Sequence, residues 1–180
     1  VSATPEQQLH APVLRYRGRF APTPSGPLHP GSLVAAAGSY LAARSAGGDW
    51  LVRIDDLDPP RVVPGAADDI LRTLEAFGMH WDEPVVYQST RGAAYRAALE
   101  ALERRGHVFS CACSRKEIAA AGLQGVDGPV YPGTCRDGLP PGREARAWRF
   151  RVRGQAVAFV DGIQRNVVQN VARAVGDFIL

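Results

Sequence analysis

The chain has 180 residues, 46% of them hydrophobic, and a formal net charge of +3, enough for one real core with an insertion and too little to promise two independent cores. Apolar runs such as residues 33–37 stop far short of the ~18 residues of a membrane span, and residues 1–10 lack the basic start and apolar core of a secretion signal; the expectation is a cytoplasmic monomer without membrane contact. The charge is uneven, with 7 Arg against 10 acids over residues 1–90 and 14 Arg and Lys against 8 acids over residues 91–180. The second half is thus the better candidate for phosphate contacts, against the plainer reading of a solvated basic surface.

Residues 16–21 read as a short strand, ended by Pro22, Pro24, Gly26 and Pro27. A helix is expected to start at Gly31 or Ser32, with a core stripe of Leu33, Ala36, Ala37, Tyr40 and Leu41 and a stop at Gly47 and Gly48. Residues 50–54 are strand-like and deliver Asp55 and Asp56 at their carboxyl end. Strand, loop, helix and strand in this order predict the βαβ opening of a doubly wound, Rossmann-like α/β fold. A second helix over residues 66–77 presents Ala67, Ile70, Leu71, Leu74 and Phe77 on one face, with Asp68 and Asp69 in its first turn. A third, over residues 92–105, is expected to bury Tyr95, Leu99 and Leu102.

Residues 108–111 read as extended, and Ser114 with Glu117 forms a capping box that opens a short helix. Residues 122–146, rich in Gly and Pro, read as a long loop that needs something to hold it. Residues 147–152 alternate with Trp148, Phe150 and Val152 on one face, and residues 157–160 predict a further strand. Beyond Asp161 the pattern is ambiguous: Val167, Val168, Val171 and Val175 have helical spacing, but β-branched residues resist a helix. Phe178, Ile179 and Leu180 read as the opening of a buried strand. The expected organisation is residues 1–106 as the first half of a catalytic domain, 107–146 as an insertion and 147–180 as the return to that domain.

Two groups of residues carry chemistry. The stretch from Gly18 to Ser32 brings His29 and Gly31 to the mouth of a helix, where a donor, close backbone approach and the helix dipole favour an anion. Taken alone, His29-Pro30-Gly31 could equally be a stiff turn. Cys111, Cys113 and Cys135, an odd number of cysteines, argue for a reducing compartment. Their spacing across the loop suits a structural zinc with bonds of about 2.3 Å; the alternative is small core residues. From ligand chemistry His107 would be the fourth ligand, since a phenol must first lose its proton. No Gly-x4-Gly-Lys loop and no His-Glu-x2-His motif occurs, and Lys116 is the single lysine, so P-loop chemistry is excluded.

The stretch from Gly18 to Ser32 resembles the signature region of the glutamate-activating class I aminoacyl-tRNA synthetases, with Ser32 in place of a final His. Arg53-Ile54-Asp55-Asp56-Leu57-Asp58, Pro64-Gly65-Ala66-Ala67-Asp68, Gly78-Met79-His80-Trp81-Asp82 and Tyr87-Gln88-Ser89 continue the likeness. Tyr131-Pro132-Gly133-Thr134-Cys135-Arg136 favours the branch that acts on the queuosine of tRNA(Asp) over the ordinary glutamyl-tRNA synthetases. Two departures stand out: Pro30 replaces a bulky apolar residue, and Asp55 replaces the usual Glu.

The resemblance implies a class I nucleotide-binding domain with a zinc-tied insertion and ATP-dependent activation of L-glutamate without tRNA. Transfer to the queuosine base at the wobble position of tRNA(Asp) would follow, with Mg²⁺ accompanying ATP. Arg19 would take the side-chain carboxylate of glutamate. Asp55, one methylene or about 1.5 Å shorter than Glu, would hold the ammonium group, directly or through a water. Phe20, Ala21, Pro22 and Thr23 would line the substrate, and Pro22, Thr23, His29, Gly31 and Ser32 the nucleotide, with His29, Gly31 and Ser32 stabilising charge on the phosphates. A surface ion pair is the bland reading of Arg19 and Asp55. The family's Cys-x-Cys and Tyr-x3-Cys pattern selects Tyr131 as the fourth zinc ligand beside Cys111, Cys113 and Cys135. Its lysine-rich signature loop has no counterpart in residues 1–180, so these residues alone are not expected to complete the reaction, and an open strand edge is expected beside Phe178, Ile179 and Leu180. A rival of a different class is a non-catalytic, zinc-containing RNA-binding module, which would not bind glutamate.

Overall fold

The computed structural model describes residues 15–121, 124–125 and 128–180; residues 1–10, considered above for a secretion signal, lie outside them. The chain divides into two compact units, Val1–Gly92 and Ala93–Leu180. Among the described residues no helix is long and apolar enough to cross a membrane.

The first unit is the expected βαβ arrangement. Strand β1 (Arg17–Phe20) pairs in parallel with β2 (Asp49–Ile54), Arg17 opposite Asp49 and Phe20 opposite Val52. Helix α1 (Pro30–Ser45) makes the crossover between them. A short β3 (Val86–Tyr87) adds in parallel to the far end of β2, giving the order β1-β2-β3. Trp50, Val52 and Ile54 point to one face of β2 and are almost wholly buried, as period-two alternation demands. They pack with Phe20, Ala36, Ala43, Met79 and, from α2 (Ala66–Ala76), Ile70 and Leu74. The Trp50 indole N–H donates to Ser39 Oγ at 2.9 Å, so its one polar atom is satisfied inside the core.

The residues that seat α1 are small. A Cβ added at Gly18 would lie 3.0 Å from the Ser39 carbonyl oxygen and 3.1 Å from Ala43 Cβ, so glycine is what lets the helix lie this close to β1. Ala36 and Ala43 are the buried positions of the helix. Leu33, Ala37 and Tyr40 of the expected stripe are half-buried against the core, but Leu41 is 63% exposed. A close crossing built on alanine and glycine has no room for a leucine on the same line. Phe77 is likewise exposed, because α2 ends at Ala76 and the chain turns away there.

The second unit is antiparallel. Helix α3 (Gly92–Arg104) has no buried residue: Tyr95 is exposed and Leu99 and Leu102 are only half-covered, against expectation. An amphipathic stripe names the face that would gain from cover and does not itself supply the cover. Strand β4 (Val108–Cys111) pairs with β7 (Ala147–Phe150), Cys111 opposite Ala147. Between them lie α4 (Arg115–Ala120), with both halves of its Ser114–Glu117 capping box formed, and the two-residue strands β5 (Gln124–Gly125) and β6 (Gly128–Pro129) in the stretch expected to be loop. In β7 the residue turned inward is Arg149, 5% exposed, while Trp148 and Phe150 are half-buried. Within β7 the inward residue is thus Arg149, because its guanidinium finds partners inside, while Val152 of the expected face, just past the strand, is buried at 8% exposed.

The ambiguous end of the chain resolves into a hairpin, β8 (Ala156–Asp161) with β9 (Arg165–Asn170), followed by the single-turn α5 (Val171–Ala174). Val167 and Val168 lie in the strand and Val171 opens the helix, so the β-branched residues decide for strand where they cluster. Phe178 and Leu180 lie beside β7: the Phe150 amide donates to the Phe178 carbonyl at 2.8 Å and the Leu180 amide to the Trp148 carbonyl at 3.1 Å. They are not buried, since Phe178, Ile179 and Leu180 are 38%, 55% and 53% exposed.

Removing the indole at the centre of the first unit is expected to destabilise the protein by ~3–5 kcal/mol in Trp50→Ala, whereas Leu41→Ala stays within about 0.5 kcal/mol of the parent. Urea unfolding of the two variants checks both values, and comparable losses would contradict the burial described here.

Candidate active site and metal centre

The carboxyl end of the parallel sheet is where such folds gather ligands, and the first candidate site lies there. Beyond Phe20 the chain cannot continue the strand through Pro22 and Pro24, and it folds back to start α1 at Pro30. Between the strand end and the helix start opens a cleft of about 510 Å³, lined by residues 20–23, His29, Gly31 and Ser32. Its size is within the range of small-molecule sites.

His29 is the N-cap of α1, and its Nδ1 accepts the Gly31 amide at 3.1 Å. An acceptor Nδ1 leaves the ring proton on Nε2 in the neutral imidazole, so the outer nitrogen is the donor. Gly31 permits this posture, for a Cβ there would sit 3.3 Å from Nδ1. The first amides of α1 differ from the simple picture of a free anion cradle. Pro30 has none, Gly31 is taken by His29, and the Ser32 and Leu33 amides donate to the His29 carbonyl at 2.8 and 3.1 Å. The helix dipole and the imidazole remain for an anion, and the Gly31 amide becomes available when His29 turns away.

Arg19 and Asp55 flank the cleft without lining it. Arg19 is exposed on β1 and has no hydrogen bond or ion pair among the described residues. Asp55 follows the last residue of β2, and its amide donates to the Pro22 carbonyl at 2.9 Å, which joins it to the cleft wall. Its carboxylate does form an ion pair, with Arg53 rather than Arg19: Arg53 Nε to Oδ1 is 2.6 Å and Nη2 to Oδ2 is 3.0 Å. Asp56 is anchored in turn by Ser89, whose amide donates to Oδ1 at 2.8 Å and whose hydroxyl donates to Oδ2 at 2.6 Å. Partial burial would raise the Asp56 pKa, but these Ser89 hydrogen bonds prevail and hold it below the ordinary aspartate value. The loop after β2 is thereby tied to the 3-10 turn that follows β3. Arg61, not singled out from sequence as a site residue, also lines the cleft and pairs with Asp58 at 2.6 Å. It ends the Arg53–Arg61 stretch that carries the family likeness, and its i,i+3 spacing from Asp58 was a further signal.

The second site is the cysteine cluster. Cys111 ends β4, Cys113 precedes the cap of α4, and Cys135 lies within a turn. Their three Sγ atoms lie within 4.8 Å of one another. Cys113 and Cys135 are 3.6 Å apart, too far for a disulfide, and the Tyr131 hydroxyl is 3.5 Å from Cys111 Sγ and 3.8 Å from Cys113 Sγ. Metal–sulfur bonds of about 2.3 Å at tetrahedral angles place sulfurs about 3.8 Å apart, so three thiols this close could hold a metal ion. His107 stands apart from them. Its ring faces Phe150 at 6.2 Å, outside the cluster.

Burial opposes ionisation of Cys111, but hydrogen bonds with Tyr131 and from Arg149 and the Cys113 amide outweigh it and bring its thiol to about 7. Burial and the neighbouring thiols push the Tyr131 phenol up, and burial also raises Cys113. The Cys135 amide donates to the Tyr131 oxygen at 2.7 Å, holding it in place. Around the cluster, Arg143 bonds Glu117 Oε1 at 2.8 Å and the Ala112 carbonyl at 2.7 Å.

The catalytic domain of class I tRNA synthetases (E and Q) is the family whose model matches residues 15–128. Among curated proteins, the glutamyl-Q tRNA(Asp) synthetase of Chromobacterium violaceum is 62% identical over 165 residues, 92% of this chain and 55% of that protein. The protein of the same name from Dechloromonas aromatica is 62% identical over 167 residues, 92% and 56% respectively. Among solved structures, a glutamate tRNA ligase from Elizabethkingia meningosepticum in complex with its amino acid gives a TM-score of 0.73 at 26% identity, covering 92% of this chain and 38% of that one. The glutamate-tRNA synthetase of Elizabethkingia anophelis gives 0.74 at 26% identity, covering 39% of that chain. The chain spans about half the length of the curated relatives it matches.

The Arg143 guanidinium and the Ser114 amide favour the Glu117 carboxylate and lower its pKa to about 2. The charged form is the one the fold prefers, so its stabilisation is full above the ordinary glutamate range and fades as pH falls toward that value. A carbon-detected NMR titration is expected to place Glu117 near the bottom of the carboxylate range in the parent and higher in Arg143→Gln; an unmoved midpoint would break the link.

Proposed function

This chain belongs to the class I tRNA synthetases of the E and Q type, and from that premise we propose that it serves the ATP-dependent activation of L-glutamate to glutamyl-adenylate without tRNA, followed by transfer to the queuosine base at the wobble position of tRNA(Asp). The observation that carries this reading is the cleft between β1 and α1, with a histidine capping the helix through Nδ1 and an arginine one strand-step away that has no partner among the described residues. The tRNA specificity rests on the likeness to relatives called glutamyl-Q tRNA(Asp) synthetase. The substrates place the reaction in the cytoplasm.

In the proposed reaction the α-carboxylate of glutamate attacks the α-phosphorus of ATP and pyrophosphate leaves, with Mg²⁺ screening the phosphates. Arg19 supplies a two-pronged contact to the side-chain carboxylate. Asp55 holds the ammonium group, which joins the pair that Asp55 makes with Arg53 and so adds to a carboxylate already oriented for it. His29 turns from Gly31 toward the phosphates. The imidazole N–H and the released Gly31 amide then both point at developing negative charge, beside the Ser32 hydroxyl and the positive end of α1.

The cysteine cluster is assigned a structural role. Cys111, Cys113, Cys135 and Tyr131 would hold one Zn²⁺, which ties the loop between β4 and β7 together. The fit lies in the donor distances and in the chemistry of the set, three sulfurs and an oxygen converging in a mostly buried pocket.

Arg19→Ala is expected to weaken glutamate binding more than 10-fold, from the ~2–5 kcal/mol that truncating one half of such a charge pair costs, with the unfolding midpoint unchanged. Calorimetry with L-glutamate measures this; equal affinity in parent and variant would move the recognition elsewhere, and no binding by the parent would favour the RNA-binding module.

The zinc assignment predicts about one zinc per molecule in the purified protein and its loss in Cys135→Ala. Elemental analysis decides, and full retention of zinc by the variant would remove Cys135 from the site.

A further inference from the structure

Arg149 is a buried cation without a carboxylate. Its side chain lies under the cysteine cluster, and the residue is 5% exposed. Its Nε donates to Cys111 Sγ at 3.2 Å, one Nη donates to the Asp177 backbone carbonyl at 2.7 Å, and the guanidinium stacks on the Tyr131 ring at 4.0 Å. Among the described residues it makes no ion pair: the nearby Asp177 carboxylate is engaged by the Val152 amide and by Arg136 instead. A guanidinium removed from water needs an anion. The groups in contact with it that can become anionic are a thiol and a phenol, both donors of the cluster.

The charge of the filled site supplies the other half of the reasoning. A divalent zinc with three thiolates and a phenolate carries two net negative charges, which a buried pocket disfavours unless a cation is close. Arg143, also beside the cluster, is committed to Glu117 and is more exposed, and Arg136, next to Cys135, is engaged by Asp177 and the Val152 carbonyl. Arg149 touches Cys111 by a charge-assisted hydrogen bond and covers the face of Tyr131, where attraction to the ring grows when the ring bears charge.

We propose that Arg149 is the charge-compensating and positioning residue of the metal centre: it fixes the Cys111 sulfur through Nε–H, covers the Tyr131 ring, and offsets the excess negative charge of the ligand set. The proposal rests on the zinc reading above. It adds a residue whose effect is on how tightly the metal is held, through partners around the ligands that commonly change affinity 10- to 100-fold.

The experiment measures zinc affinity by competition with a chromogenic chelator, and the melting temperature with zinc and with excess chelator, for the parent protein, R149Q and R149K. R149Q is expected to bind zinc ~10–100-fold more weakly and to lose most of the zinc-dependent rise in melting temperature, while R149K, which keeps the charge, recovers a good part of both. Affinity unchanged in R149Q, or R149K as weak as R149Q, would overturn the proposal, as would variants that melt lower by the same amount with and without zinc. Should R149Q fail to fold, R149K alone decides: a loss of under about 10-fold supports the charge role and a larger one overturns it. A parent that binds no zinc fails the metal reading itself, a result distinct from a zinc-loaded parent indifferent to Arg149.

Discussion

The crossing of α1 over β1 at Gly18 is the constraint on which the first site depends. Because the helix lies against the strand at glycine and alanine contacts, its start is fixed relative to the point where β1 ends. The proline-interrupted segment between them must then bridge a set distance, and the cleft is the space that it encloses. The Trp50 indole locks the same crossing from below through Ser39 of α1. What touches substrate in the proposed reaction is therefore held by residues that never approach it, as preorganised sites generally require.

Much of this was legible in the sequence because the signals were local. Prolines and glycines marked the end of β1 and the start of α1, alternation marked β2, and the capping box at Ser114 and Glu117 formed as its spacing predicts. What the residues alone could not convey was the identity of partners. Leu41 belongs to the apolar stripe of α1 by periodicity, yet the seat is made of alanines. Asp55 is paired, but with Arg53 two residues back, a contact that depends on how the strand end is turned. Arg149 breaks the rule that charged residues of a half-buried strand face water, since the sequence carries no mark of the thiol and ring waiting on the inner face.

The metal centre shows the same dependence on distant partners. Chemistry alone preferred an imidazole as fourth ligand, and His107 is near in sequence. β4 nevertheless carries His107 to the opposite end of the strand from Cys111, while the Cys135 amide holds the Tyr131 oxygen among the sulfurs. In the proposed site the choice of donor would be made by strand direction and a backbone hydrogen bond, ahead of any intrinsic affinity for the metal.

The two units also differ in how quickly their pairings can be found. In the first unit every strand contact is parallel, so β2 cannot meet β1 until the residues of α1 have crossed over, and β3 must wait for a still longer connection. In the second, β8 and β9 are neighbours joined by a short turn and pair without such a detour. Hairpins close in microseconds, whereas contacts between residues far apart along the chain carry the entropic cost that slows folding. When the whole chain refolds from the unfolded state, the amino-terminal sheet would thus assemble late, and Trp50 and Ile54 would stay open to wrong partners while the hairpin had already closed.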